Sequence, residues 1–213
     1  MTSAVQLFQF AKWPEKGRVK TRLAATLGEE GALHAHIMLT LTVLEQLRLS
    51  GYPLILAWDR DLDEPPAAAG PILNAVAGYG IRQSVQQGED LGARMTRALA
   101  DGLAQGDKAI VVGSDCPSVD ADYAHQAVEA LDSADVVFGP SDDGGYVLIG
   151  ARRTETAMLG GVAWGSDMAL EQSIAAAESA GLSVSLLAPR WDVDEPEDWA
   201  RFQSEFGRSA TGG

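Results

Sequence analysis

Cysteine is almost missing from this sequence. Cys116 is the single one among 213 residues. No intrachain disulfide can form, so a disulfide scaffold and a cysteine-based zinc site are both excluded. That usage fits a reducing compartment. Basic residues are scarce as well: Lys and Arg total 16 against 30 Asp and Glu, for a net charge of −14. A chain this acidic repels a phosphate polymer, which argues against general DNA or RNA binding. Long apolar runs are lacking. The longest apolar-rich stretch free of formal charge, residues 31–44, contains His34, His36 and two threonines, and it is too short to span a bilayer. The first ten residues carry no basic cluster and only a short apolar run, so no signal peptide is expected. A cytoplasmic protein with no membrane partner is the expectation. Neither a Gly-x-x-x-x-Gly-Lys-Ser/Thr loop nor a Gly-x-Gly-x-x-Gly fingerprint occurs, which removes the two commonest phosphate-cradle motifs. The three histidines form no recognisable nucleophile or metal pattern.

What remains is an ordinary soluble mix, 46% hydrophobic and 22% charged. At about 150 residues per domain the length fits one domain, taken here as 1–207 with a frayed tail at 208–213. Short apolar runs alternate with longer helical patterns. Strands are expected at Val5–Phe10, Leu54–Trp58, Ile81–Val85, Lys108–Gly113, Ala134–Phe138, Tyr146–Ile149 and Ser183–Leu187. Helices are expected over 22–49 (on Leu33, Ile37, Leu41, Leu44 and Leu47), 65–77, 91–103, from Asp120 or Asp122 to about Leu131, from a Ser166 cap to about Ala180, and over 196–206. That alternation predicts βαβ units and a mainly parallel sheet. Ligands of such sheets bind at the carboxyl ends of the strands. The candidate loops there are 11–21, 86–92, 113–119 and 189–195.

Charge is unevenly placed on this chain. Lys12, Lys16, Arg18, Lys20 and Arg22 fall in one eleven-residue window opposed only by Glu15, a local +4. The window follows the first strand and precedes a helix, where backbone N–H groups and a helix N-terminus attract anions. Gly17 allows close backbone approach. The plainer reading is a solvated basic loop. Asp115, in Gly113-Ser-Asp-Cys-Pro117, ends the most apolar strand; it is a ligand-edge carboxylate or a simple turn cap. Residues 192–198 hold five acids in seven positions, whose repulsion a bound cation would relieve. The plainer reading there is a helix start capped by Asp194 and Glu197, with Pro196 in the first turn. Mg²⁺ is commonly held by one or two carboxylates, waters and phosphates. Asp115 and Asp194 are therefore expected to share one ion, their carboxylates within about 8 Å. Asp192 is the reserve ligand, since alternation along an extended segment points 192 and 194 to the same side. Weaker signals are the Gly-containing helix start 88–95, the hairpin-like turn 141–146 and Trp164-Gly-Ser-Asp167.

Phe10-Ala-Lys-x-Pro-x-x-Gly-x-Val-Lys-Thr-Arg-Leu23, Asp90-Leu-Gly-x-Arg-Met95, Gly113-Ser-Asp-Cys-Pro117, Asp143-Gly-Gly-Tyr146, Trp164 and Asp192-Val-Asp194 together resemble the DUF2064 family. That is a group of small bacterial GT-A-type transferases also named for an association with radical-SAM/selenodomain proteins. The resemblance runs from about residue 5 to 203. It implies a Rossmann-like GT-A fold, a mixed and mostly parallel sheet of about seven strands flanked by helices. It also implies a nucleotide or nucleotide-sugar substrate, a small-molecule acceptor and Mg²⁺ or Mn²⁺; a homodimer stays open. Residue by residue, it implies Lys12, Gly17, Arg18, Lys20, Arg22 and Arg94 for the nucleotide and its phosphates. Asp115, Asp194 and Lys20 are the catalytic candidates, with Asp115, Asp194 and Asp192 on the metal. Asp143, Gly144 and Trp164 fall on the acceptor side. Two departures stand out: Trp164 is followed by Gly-Ser-Asp where Ser-Thr is the pattern, and no tight Asp-x-Asp follows the central strand. The first leaves the acceptor open. The second is closer to nucleotidylyltransferases, while the family's naming favours glycosyl transfer; a non-catalytic nucleotide-binding module is the third alternative.

Overall fold

The structure, a computed structural model, describes residues 4–207; the tail expected to fray at 208–213 lies outside them. In chain order, β1 (Val5–Ala11) leads to α1 (Thr21–Leu49), β2 (Leu54–Trp58), a 3-10 turn (Ala67–Ala69) continuous with α2 (Gly70–Tyr79), and β3 (Arg82–Val85). Then come α3 (Leu91–Leu103), β4 (Lys108–Gly113), α4 (Ala121–Ala130), β5 (Val136–Pro140), β6 (Tyr146–Ala151), α5 (Ala169–Ser179), β7 (Val184–Leu186) and α6 (Pro196–Phe206). The strands form one sheet in the order β3-β2-β1-β4-β6-β5-β7. β6 runs antiparallel to β4 and β5, and the other pairings are parallel. This is the expected Rossmann-like α/β sheet.

β1 and β4 lie centrally and are covered on both faces, which is why they read as near-continuous apolar runs. Leu7, Ile110 and Val112 pack with Val43, Leu44, Ile72 and Tyr123 of α1, α2 and α4. Phe8, Ala109 and Val111 meet Met95 and Leu99 of α3 on the other face. The chain leaves β1 towards β2 on one side while β4 flanks it on the other, a switch point that opens a crevice at the carboxyl ends. A third cluster closes one wall of that crevice. Leu23, Ala35 and Leu39 of α1 pack against Trp191, Val193, Trp199 and Phe202, fixing the acidic segment beside β4. Among the described residues, no helix is long and apolar enough to cross a membrane.

Several boundaries differ from expectation for physical reasons. The 22–49 pattern is broken at Gly28, whose φ of 71° and ψ of 168° interrupt the helix; lacking a Cβ, glycine adopts this readily. The buried face of α1 follows the expected stripe only in part: Leu44 and Leu47 are fully buried. Ala32, Ala35, His36, Leu39 and Val43 are buried, while Leu33, Ile37 and Leu41 are only half-buried. The strand expected at 134–138 starts at Val136, because the Ala134 N–H still closes the end of α4 on the Ala130 carbonyl at 3.1 Å. The helix expected over 65–77 forms over 70–79 and ends at Gly80, which takes a left-handed conformation. Ser166 does not cap α5. Its Oγ accepts from Met168 N at 3.3 Å in the turn ahead of a helix that starts at Ala169. Capping of α6 belongs to Glu195 and Asp198, not to Asp194 and Glu197: the Asp198 carboxylate accepts from Glu195 N at 2.9 Å. The Asp194 carboxylate is thereby left out of helix capping.

Candidate functional site

The β1–β4 crevice is a cavity of about 620 Å³ lined by the strand ends and the basic loop. The carboxyl ends of its two strands are tied together. The Ser114 hydroxyl donates to the Phe10 carbonyl at 2.7 Å and accepts from Gln9 Nε2 at 3.0 Å. Asp115 follows directly. Across from it, Trp191 and Val193 point into the third apolar cluster, so the period-two alternation of an extended segment turns Asp192 and Asp194 the other way, towards Asp115; Asp194 lines the cavity and Asp192 does not. The Val193 N–H donates to the Asp115 carbonyl at 3.0 Å, which locks the two segments together. Carboxylate oxygens of Asp115, Asp192 and Asp194 all lie within 4.8 Å of one another. The expected closeness of Asp115 and Asp194 is met, and the reserve residue Asp192 joins them.

Lys20 reaches into this group. Its Nζ donates to Asp194 Oδ1 at 2.8 Å and to Asp115 Oδ2 at 3.1 Å, with its side chain only 7% exposed. Burial opposes the lysine's charge, but the two carboxylates outweigh it and raise its pKa. Burial likewise pushes Asp115 up, and Lys20 more than offsets this, holding the carboxyl at about 2. Asp192 fares differently. Burial first, and then Asp115, Asp194 and Asp143, push it up to about 7. The three acids thus carry negative charge that one lysine does not compensate. Burial and the neighbouring acids raise the Cys116 thiol well above its ordinary value, so it fills space next to Asp115 rather than acting as a nucleophile.

The other basic residues are distributed unequally. Lys12, Arg18, Arg22 and Arg94 line the cavity. Arg22 leans on Asp194 and Glu195 at 3.7 and 3.4 Å while staying 64% exposed. Arg18 is mostly exposed near Glu15, and Lys16 turns away to Glu30 at 2.6 Å. Gly17 is exposed with φ 74° and is not among the lining residues. Asp143, Gly144 and Trp164 do not line the cavity either. Asp143 caps its own turn on Gly145 N at 3.1 Å. Gly144, at φ 88°, sits hard against the Asp167 backbone. Trp164 packs on Gly92 of α3 and edge-on to Tyr146.

His36, Asp59, Gln86 and Ser114 are among the lining residues that the sequence reading did not single out as site residues. Asp59 follows β2 directly and Gln86 opens one of the candidate loops, so strand-end position was a usable signal for both. His36 had none. It sits on the buried face of α1, its Nε2 3.0 Å from the Lys12 carbonyl, and burial lowers its pKa. Ring and carbonyl together pin the basic loop to the helix.

A family model described as uncharacterised proteins conserved in bacteria, DUF2064, matches residues 41–166. The chain belongs to DUF2064. The matched stretch contains Arg94, Asp115, Asp143 and Trp164, whereas the basic loop and the 192–198 acids of this DUF2064 protein lie outside it. A solved candidate nucleotide-diphospho-sugar transferase from Desulfovibrio desulfuricans G20 is 27% identical, covering 99% of this chain and 90% of its own, at a TM-score of 0.81. A nucleotidyl transferase from Methanothermobacter thermautotroptrophicus is 17% identical, with 97% and 99% covered and a TM-score of 0.65. A Mycobacterium tuberculosis H37Rv protein solved as a complex with manganese is 18% identical, with 96% and 100% covered and a TM-score of 0.57. At under 25% identity the last two share the fold. No curated protein matches the sequence.

Proposed function

We propose that this DUF2064 protein is a divalent-metal-dependent transferase acting on a nucleotide substrate, with glycosyl transfer from a nucleotide-diphospho-sugar to a small acceptor as its reaction. One observation carries the reading. Asp115 and Asp194 line one cavity with a basic strand-to-helix loop at the carboxyl ends of parallel strands, and Asp192 offers an oxygen within 4.8 Å of both. The donor set fits Mg²⁺ or Mn²⁺: three carboxylates supply hard oxygen ligands, and the raised pKa of Asp192 marks negative charge that a cation would relieve. Asp115, Asp192 and Asp194 would hold the ion. When bound, it supplies charge neutralisation for the diphosphate.

The residues of the chain do the rest. Lys12, Arg18, Lys20 and Arg22, with Arg94 opposite, receive the phosphates, and the N-terminus of α1 adds its backbone dipole. Charge that develops on the leaving diphosphate meets preorganised cations there, where they act most strongly. Gly17 keeps the loop free of a side chain. Asp143, Gly144 and Trp164 belong to the acceptor side, and Asp143 lies close enough to act on Asp192 electrostatically. The second reading is nucleotidylyl transfer from a nucleoside triphosphate to a small phosphorylated acceptor, releasing pyrophosphate. It is favoured by acids that come from two distant segments instead of one Asp-x-Asp. A thermal-shift screen of nucleoside triphosphates and nucleotide sugars, with and without Mn²⁺, separates the two when followed by mass spectrometry of products. Stabilisation by nucleotide sugars and release of nucleoside diphosphate support the first. Pyrophosphate release supports the second. No nucleotide-dependent shift with metal removes both.

A further inference from the structure

The position of Lys20 is unusual for a phosphate-binding lysine. It lines the cavity, yet its side chain is only 7% exposed and its ammonium is held between Asp115 and Asp194. Its backbone, at φ 45° and ψ 47°, is the one non-glycine in the left-handed region among the described residues. An L side chain stays there only where the surroundings hold it. The residue occupies the N-cap position of α1 yet makes no side-chain cap; its side chain is committed to the acids. A divalent ion would draw on those same carboxylates, which offer oxygens within 4.8 Å of one another. An ammonium and a divalent ion cannot sit among them together without strong like-charge repulsion.

We infer that Lys20 is an internal cation that holds the acid group when the site is empty and must give up those oxygens as metal and nucleotide enter together. The inference rests on the metal-and-nucleotide reading above. Released from the acids, the ammonium lies within the same cavity as Lys12, Arg18 and Arg22, where an incoming phosphate gives it a new partner. Metal alone offers it none. Lys20 therefore suppresses binding of the bare ion and couples metal entry to nucleotide entry. It acts as a positioning residue on the acids before it touches any phosphate.

The test is a Mn²⁺ titration followed by electron paramagnetic resonance of the free aquo ion, without nucleotide, on the wild-type protein and on Lys20→Met. Circular dichroism checks that both are folded. Loss of a positive charge a few Å from a divalent ion should tighten Mn²⁺ binding by about tenfold or more, and adding Asp194→Asn to Lys20→Met should reverse the gain. Equal or weaker binding in Lys20→Met overturns the inference while leaving the metal reading intact. If neither protein binds Mn²⁺, the metal reading falls and the inference falls with it. Should Lys20→Met not fold, the wild-type protein serves. Its lysines are Lys12, Lys16, Lys20 and Lys108, so amine labelling read by peptide mass spectrometry resolves each one. Lys20 should be unreactive in EDTA and become reactive once Mn²⁺ is bound. Protection that persists with Mn²⁺ bound, as the resonance signal reports it, refutes the displacement.

Discussion

Asp192→Asn should stabilise the metal-free protein at pH 8 and leave it nearly unchanged at pH 4. Asp192 is pushed from 3.8 to about 7 by burial and by its three acidic neighbours. Below 3.8 the group is protonated in both folded and unfolded chains and contributes nothing. Between 3.8 and 7 the unfolded chain releases the proton while the folded one retains it, so the native state loses stability as pH rises. Above about 7 the penalty is complete. At ~1.4 kcal/mol per pH unit the gap sets a ceiling of ~4 kcal/mol. Asp192 is only half-buried, and solvent screening reduces this to about 2 kcal/mol. For a chain of this size that is a rise in Tm of roughly 4–8 °C. The assay is urea unfolding in EDTA at pH 4 and pH 8, wild type beside variant. Saturating Mn²⁺ should cancel the advantage, because ion binding stabilises only the protein that keeps its ligands. A gain equal at the two pH values would show that ionisation of Asp192 is not its source. A loss at pH 8 would show that the carboxylate is satisfied without metal.

The ion pair on Asp115 has the opposite sign. Held at about 2 against an ordinary 3.8, it contributes stability that is present above 3.8 and lost as pH falls through 2. Its side chain is 41% exposed, so the contribution is about 1 kcal/mol, and the difference between wild type and Asp115→Asn should shrink over pH 4 to 2 in unfolding titrations. Arg18→Ala and Arg22→Ala should each weaken nucleotide binding severalfold and flatten its salt dependence, read by calorimetry at two ionic strengths; unchanged affinity in both removes the loop from the phosphate site. Gly92→Ala would place a Cβ 2.8 Å from the Leu159 carbonyl oxygen and 2.7 Å from the Trp164 ring. It should cost about 2 kcal/mol by overpacking, and a neutral result in chemical denaturation would mean that α3 and the Trp164 loop can separate freely.

Much of this molecule was legible from local pattern. β2, β4, α3 and α6 begin and end where periodicity and turn residues put them. Local signals bound three of them: Gly51-Tyr-Pro53 before β2, the Gly-containing start at 88–95 before α3, and Pro196 at the first turn of α6. The charge pattern pointed to the basic loop and the acidic segment, and alternation along 191–194 predicted that Asp192 and Asp194 would face one way. Other features depended on contacts no window contains. Whether Asp194 capped a helix or stayed free was settled by Glu195 and Asp198, one residue along, which closed the cap themselves. Ala32 and Ala35 lay on the buried face of α1 because the helix packs against Trp191 and Val193 from the far end of the chain. His36 joined the cavity from that same buried face. The partner of Lys20 could not be read locally at all. A basic residue in a +4 loop suggests an anion from outside, yet its nearest anions are Asp115 and Asp194, 95 and 174 residues away, brought there by the order in which the strands cross.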